Sequence, residues 1–401
     1  MIHGPQVSVI TPAYNAAVTI GRTIASVQAQ TFHDWEHIII DDGSTDDTRA
    51  AVDAARDSRL RYTYQPNQGP AEARNHGIRV SHGDQVIFLD ADDGWDERCL
   101  ERLQARSKAE SPGAITHGDW AYIDSEGHIG RTRCTAFAAG DSLNTLLLGN
   151  PMAIHSVLAP RQAIIDVGGF ATSGMLEDWH LWLRLARAGH HFVHTPALVA
   201  YYFWQPGSRS RNIERRKSER LATLDEIWAT VGVADPLQSI REPSYATAYI
   251  DLCVSRFGQG DDVEALAEFD AAVARHRPVM EQIDTYYRIA YAEQSAHEGA
   301  TEQLRETLDQ EAAGRRIDRL LDHIREHYSA AEARTARRAA YAALGMAHYH
   351  ERRHAPARAY LWSAVRSNPA ALLDRTVGGT LARALMPVRL LDSVRERRRG
   401  G

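Results

Sequence analysis

An α/β domain built on a mostly parallel sheet, followed by an all-helical half, is the architecture that this 401-residue sequence predicts. Three observations carry it. Short β-rich runs alternate with helical stretches through the first half, the pattern of strands joined by covering helices. The clearest runs, Val7-Ser8-Val9-Ile10, His37-Ile38-Ile39-Ile40 and Gln85-Val86-Ile87-Phe88-Leu89, are apolar enough for strands buried on both faces, and the last two end in acids. Beyond about Arg209 the strand pattern stops, and Ala, Glu, Arg and Leu recur with helical spacing. In a parallel sheet ligands gather outside the carboxyl ends of the strands, so the acids mark the expected site.

The length exceeds what one hydrophobic core organises, which predicts two domains. The change of pattern places their boundary between Ser208 and Arg220, giving residues 1–210 and 211–401. A formal net charge of -6 and a pI near 6.3 give no basis for nucleic acid as a partner. Cys99, Cys134 and Cys253 are too few and too scattered for a disulfide framework or a zinc cluster, which fits a reducing, cytoplasmic setting. The N-terminal residues lack a basic and apolar targeting pattern, and no stretch approaches the ~18 to 20 apolar residues of a membrane span.

The first strand runs into Thr11-Pro12-Ala13-Tyr14-Asn15, where a dinucleotide-binding fold would carry G-x-G-x-x-G; a nicotinamide enzyme is therefore disfavoured. The second ends in Asp41-Asp42-Gly43-Ser44-Thr45-Asp46-Asp47-Thr48. Helix capping accounts for Asp46 and Asp47 and less readily for Asp41 and Asp42, whose carboxylates can accept hydrogen bonds from a base or a ribose. Asn67-Gln68-Gly69-Pro70 opens a helix that carries Arg74 in its first turns, a residue able to pair with a diphosphate. The third run ends in Asp90-Ala91-Asp92-Asp93. A lone D-x-D is more often a solvated loop, but three carboxylates within four residues repel one another and suit Mg²⁺ or Mn²⁺ shared with substrate phosphates. Glu177 and Asp178 open an amphipathic helix with Leu181, Leu185 and Ala188 on one face, where a helix N-terminus favours ionised acids.

Val7 to Asn15, Ile38 to Thr48, Asn67 to Gly77 and Phe88 to Trp95, in this order and spacing, resemble the family 2 glycosyltransferases with the GT-A nucleotide-sugar-binding fold; the resemblance spans residues 5 to about 210. It implies a nucleotide-diphosphate sugar as donor, with Pro12, Tyr14, Asn15, Asp41, Asp42, Arg74, Asp90, Ala91 and Asp92 around it. Asp41 and Asp42 would meet the base, Arg74 the diphosphate, and Asp92 or Asp93 a divalent cation, Mn²⁺ or Mg²⁺. Glu177-Asp178-Trp179-His180-Leu181-Trp182-Leu183-Arg184-Leu185 resembles the family's E-D-W-x-L-W-L-R-L segment and makes Asp178 the candidate base, with Glu177 beside it. Inverting transfer needs such a base to take the proton of an attacking hydroxyl.

One segment departs from the pattern. In Tyr202 to Ser210, Phe203 stands where the family carries Arg and Gln205 where it carries His. His180, Arg209 or Arg211 are the candidate substitutes, and His155 and His117 are weaker candidates for the site. A catalytically silent sugar- or nucleotide-binding module is the rival reading, against which Asp92, Asp93 and Asp178 speak. A nucleotidyltransferase would show a Gly-rich basic loop after the first strand, which is absent.

In the second half, Tyr341, Leu344, Gly345, Ala357, Leu361, Ala364 and Pro369 resemble a tetratricopeptide repeat, with Tyr249, Leu252, Ala265, Phe269, Ala272 and Pro278 as a looser match. A plain helical bundle explains the same spacing equally well. Either suits a scaffold that docks a protein partner. The tail from Leu381 to Leu391, followed by Arg395-Glu396-Arg397-Arg398-Arg399, interleaves apolar and basic residues. A solvated tail or a packed final helix is favoured over a peripheral contact with the inner face of a membrane, because Pro387 interrupts the run and the segment is short. A saccharide or lipid-linked acceptor in cell-surface polysaccharide synthesis is what the resemblance implies.

Overall fold

The computed structural model describes residues 4–110, 113–123, 129, 137, 141–172, 176–203, 213–231, 235–292, 309–367 and 377–385. Two compact units divide at Ser244 and Tyr245.

The first unit is an α/β layer structure. In chain order it holds β1 (Val7–Ala13), α1 (Ile20–Gln28), β2 (Trp35–Asp42), α2 (Thr48–Asp53), β3 (Leu60–Gln65), α3 (Pro70–Val80), β4 (Gln85–Phe88), β5 (Gly94–Trp95) and α4 (Cys99–Ala109). There follow β6 (Ile115–Ile123), α5 (Ser142–Leu148), β7 (Val157–Pro160), α6 (Arg161–Asp166), α7 (Glu177–Arg187), β8 (Phe192–Phe203) and α8 (Ile213–Ala229). The strands form one sheet in the order β3-β2-β1-β4-β7-β6-β8-β5. β1, β2, β3 and β4 run parallel, as do β6 and β8, while β7 and β5 pair antiparallel.

The three apolar runs read from sequence are β1, β2 and β4. β2 is buried along its whole length because helices cover both faces, and Ile38, Ile39 and Ile40 are fully enclosed, each side chain stabilising the fold by roughly 2 kcal/mol. Its register sets Ala13 beside Asp41 and Asp42 beside Gln65, so the loops after β1 and β2 emerge together at the carboxyl edge. Gly77 lets α3 sit directly on β1, since a Cβ there would lie 2.3 Å from Ile10 Cγ2.

α8 belongs to this unit: Arg220 donates to the Leu148 carbonyl, Arg187 to Thr230, and the Trp228 indole to Ser244. Compact packing therefore continues past the change in sequence pattern near Arg209.

The second unit is helical. It takes in the end of α9 (Gln238–Gln259), α10 (Asp262–Arg275), α11 (Ile283–Ala290), α12 (Gln310–His327), α13 (Ala330–His350), α14 (His354–Ser367) and α15 (Val377–Leu385). Phe257, Phe269, Tyr286, Ile317, Leu320 and Leu344 fill its core. α13 starts on a capping box between Ser329 and Glu332. The residues suspected of a repeat fall on helix pairs: Tyr341, Leu344 and Gly345 on α13, Ala357, Leu361 and Ala364 on α14, with Gly345 so close to α14 that a Cβ would reach 2.6 Å from Leu361 Cγ. Pro369 lies outside the described residues. Val377 and Leu381 of α15 are buried beside Ala342, Leu361 and Val365, so the apolar start of the tail packs as a helix. Residues from Met386 onward, including the arginine cluster, lie outside the described residues. Among the described residues, no helix is long and apolar enough to cross a membrane.

Candidate active site

At the carboxyl edge of β1 and β2 the chain staples its own loops. Asn15, held at a φ of 49°, accepts from Thr45 N–H at 2.8 Å while its own N–H donates to Ser44 Oγ at 2.9 Å. Asp41 is buried and accepts from Ser44 N–H and from the Tyr62 hydroxyl, whose pKa is pushed up to about 12 by burial and by that carboxylate. Asp42 is buried too and accepts from Gln65 Nε2 and from the N–H groups of Gln68 and Gly69, each at 2.8 Å. Gly69, at a φ of 88°, turns the chain into α3. Asp46 accepts from Ala17 N–H, Thr48 N–H and Thr48 Oγ1, the capping role expected of it. Asp47 stands at the N-cap of α2 without a side-chain bond. Both Asp41 and Asp42 thus position loops, and Tyr14 is exposed at this edge, beside a half-buried Pro12.

The acid loop follows β4. Asp90 and Asp92 are half-buried, Ala91 and Asp93 buried. The two candidate metal acids therefore differ: Asp92 is half-buried and Asp93 is enclosed. Phe203 N–H donates to Asp93 Oδ1 at 3.0 Å, which ties the loop to the end of β8, and Asp93 Oδ2 lies 3.2 Å from His155 Nδ1, out of hydrogen-bond alignment. Burial, then repulsion from Asp92 and Asp90, raises Asp93 well above the usual carboxylate range. Burial and Asp90 push Asp92 up to about 6. Burial lowers His155 to about 4, so this His–Asp contact is between weakly charged partners.

Among the described residues no three His, Cys, Asp or Glu side chains are arranged to hold a metal unaided. Asp92 is engaged by its own backbone amide and by no other donor among the described residues. A single open carboxylate in a crowded acidic loop fits a hard divalent cation that takes its remaining ligands from substrate phosphates and water.

Arg74 joins this loop to the start of α7. Arg74 is buried on α3 and reaches Asp90 Oδ1 with Nη2 at 2.7 Å and Glu177 Oε1 with Nη1 at 2.9 Å. Burial opposes its charge, yet the two carboxylates outweigh burial and raise its pKa. The arginine expected at a diphosphate instead spans the two acidic elements. The next residue, Asp178, accepts from Asn150 Nδ2 at 2.9 Å and from Trp179 N–H at 2.7 Å; burial and Glu177 push it up to about 6. Sequence reasoning missed Asn150, which reads in Gly149-Asn150-Pro151 as an ordinary turn residue.

The other candidate histidines, His180 and His117, each lie beside a side-chain neighbour. His180 faces Glu226 of α8 at 3.2 Å, and His117 lies beside His194, which hydrogen-bonds Asp119 at 2.6 Å. Gln205, Arg209 and Arg211 lie outside the described residues. Sequence reasoning also missed Arg22 on α1, which donates to the Asp92 carbonyl at 2.8 Å with its guanidinium carbon 3.5 Å from the Phe203 ring centroid.

A parallel β1–β4 core ending in an acid loop, faced by a helix that opens on two carboxylates, defines a nucleotide-sugar-binding unit of the GT-A kind. Residues 8–165 match the family described as Glycosyl transferase family 2. An uncharacterized glycosyltransferase of Haemophilus influenzae is 36% identical over 163 residues, 40% of this chain and 64% of that protein. The Escherichia coli UDP-Glc:alpha-D-GlcNAc-diphosphoundecaprenol beta-1,3-glucosyltransferase WfgD is 32% identical over 184 residues, 45% of this chain and 70% of WfgD. The chain belongs to glycosyltransferase family 2. The chain spans less than two thirds of the length of the first curated relatives it matches. The crystal structure of Staphylococcus aureus TarS 1–349 in complex with UDP-GlcNAc shares the fold, with a TM-score of 0.54 at 18% identity over 81% of this chain and 93% of that one.

Proposed function

We propose that this glycosyltransferase is inverting and metal-dependent, moving a sugar from a nucleoside-diphosphate sugar to an acceptor hydroxyl. One observation carries the proposal: Arg74 bonds Asp90 of the acid loop and Glu177 of α7 at once, which ties together the two segments that carry the candidate metal acid, Asp92, and the candidate base, Asp178. The donor lies along Pro12, Tyr14, Asn15 and the Asp41–Asp42 loop, with its diphosphate at Asp90, Ala91 and Asp92. Asp92, with Asp93 beside it in sequence, would hold Mn²⁺ or Mg²⁺, which when bound would supply Lewis-acid neutralisation of the leaving diphosphate. Asp178 takes the acceptor's proton as the oxygen attacks C1 from the face opposite the leaving group, while Glu177 stays paired with Arg74.

The relative acting on a diphosphoundecaprenol-linked sugar supports a saccharide on a lipid carrier as acceptor, met at the cytoplasmic face of the membrane in polysaccharide synthesis. The α/β part, 1–210, performs the chemistry. The helical part, 211–401, docks a protein partner on tetratricopeptide-like hairpins.

The test is release of nucleoside diphosphate from a panel of UDP-, GDP- and dTDP-sugars with Mn²⁺ and with a chelator. Slow, chelator-sensitive release from one donor is expected. Donor binding without release under any condition would favour a silent binding module.

A further inference from the structure

Arg74 has both ends of its guanidinium committed to protein carboxylates and is buried, which leaves the diphosphate expected beside it without an arginine. The acid loop has another cation at hand. Arg22, exposed on the first turn of α1, is fixed at two points: Nη2 donates to the Asp92 carbonyl at 2.8 Å, and the guanidinium lies over the Phe203 ring. The neighbouring Thr23 hydroxyl donates to the Asp93 carbonyl at 2.8 Å, so α1 grips two successive carbonyls of this loop. Asp92 and Asp93 both attract Arg22, yet it pairs with neither carboxylate. Its other N–H donors have no partner among the described residues. A guanidinium held over a ring and by one hydrogen bond has already lost freedom that binding would otherwise cost, and it keeps in-plane N–H donors for phosphate oxygens. Phe203, where the sequence departs from an arginine, supplies that ring.

We propose that Arg22, rather than Arg74, is the arginine that binds the diphosphate of the donor, positioned by the Asp92 carbonyl and the face of Phe203. The inference rests on the glycosyl-donor reading above. It predicts that affinity for phosphates, and not for the base, depends on Arg22.

Calorimetric titrations of UDP, GDP and dTDP with Mg²⁺ identify the nucleoside diphosphate that the wild-type chain binds best, and its nucleoside serves as the phosphate-free control. Arg22→Ala should weaken the diphosphate about 10-fold or more, the scale of one charge-assisted hydrogen bond, and leave the nucleoside within about twofold. Arg22→Lys should recover part of the loss, because it keeps the charge and not the fork. Unchanged diphosphate affinity in Arg22→Ala overturns the proposal, and so does an equal loss for diphosphate and nucleoside, which would mark a structural role. Phe203→Leu, which keeps an apolar contact and removes the ring face, should weaken the diphosphate alone by a smaller factor. Failure of the wild type to bind any of the three overturns the glycosyl-donor reading and this inference with it.

Discussion

Arg74 Nη1 lies 2.9 Å from Glu177 Oε1, a buried ion pair between residues 103 positions apart. The same guanidinium holds Asp90, so removing it leaves two carboxylates beside Asp92 and Asp178 without their shared cation. Breaking a buried pair in this way costs about 3 kcal/mol or more. Arg74→Ala should therefore lower the urea-denaturation free energy of the first unit by about that amount. A loss below about 1 kcal/mol would show that the bridge holds little together.

Asp178 must be ionised to accept a proton, and its pKa of about 6 in the folded chain sets the window. Turnover should rise as pH increases through about 6 and level off above it. Asp178→Asn should keep donor affinity within a few fold and lower transfer by about 10² or more, with the acidic limb gone. Transfer close to wild type would move the base to Glu177 or elsewhere.

The same shift carries a stability consequence. Because the folded pKa lies above the usual carboxylate value of 3.8, the carboxyl's contribution is full below that value and is lost as pH rises through about 6. At pH 7 Asp178→Asn should thus melt at least about 2 °C higher than wild type, from ~1 kcal/mol of relieved desolvation. A lower melting point would mean that the ionised carboxylate is well satisfied by Asn150 and Trp179.

Asn150 donates to Asp178 and accepts from Met152 N–H, so its amide cannot flip without losing both bonds. Asn150→Ala should reduce kcat about 10-fold with KM little changed and move the acidic limb of the pH profile upward, since a donor that stabilises the carboxylate is gone. A purely structural asparagine would leave the pH limb where it was.

Gly43 opens the loop after β2 at a φ of 83°, and a Cβ there would approach Asn67 N to 2.8 Å. Gly43→Ala should cost roughly 1 to 3 kcal/mol in stability and weaken nucleoside binding, both measurable on one purified variant. Wild-type values for both would show that the loop relaxes at no cost.

Local chemistry made part of this legible. Val7–Ile10, His37–Ile40 and Gln85–Phe88 announce buried parallel strands by their own composition, and the acids that follow mark the sheet edge. The sequence pattern also stops producing strands where β8 ends. What escaped depends on distance along the chain. Nothing near Arg74 reveals that Asp90 and Glu177 will both bond it. Asp93 looked as open as Asp92, because the N–H that fills its Oδ1 comes from Phe203, 110 residues later. Asp42 looked free for a base, yet the amides that occupy it belong to the turn before α3. Arg22 has no motif around it and becomes notable only where the Asp92 carbonyl and the Phe203 ring meet it.

The anomeric configuration of the first sugar released from an α-linked nucleotide sugar, followed by proton NMR before mutarotation, tests the account most directly. Asp178 acting as a base on the face opposite the diphosphate predicts the β-anomer. The α-anomer as first product would contradict inverting transfer and the role given to Asp178.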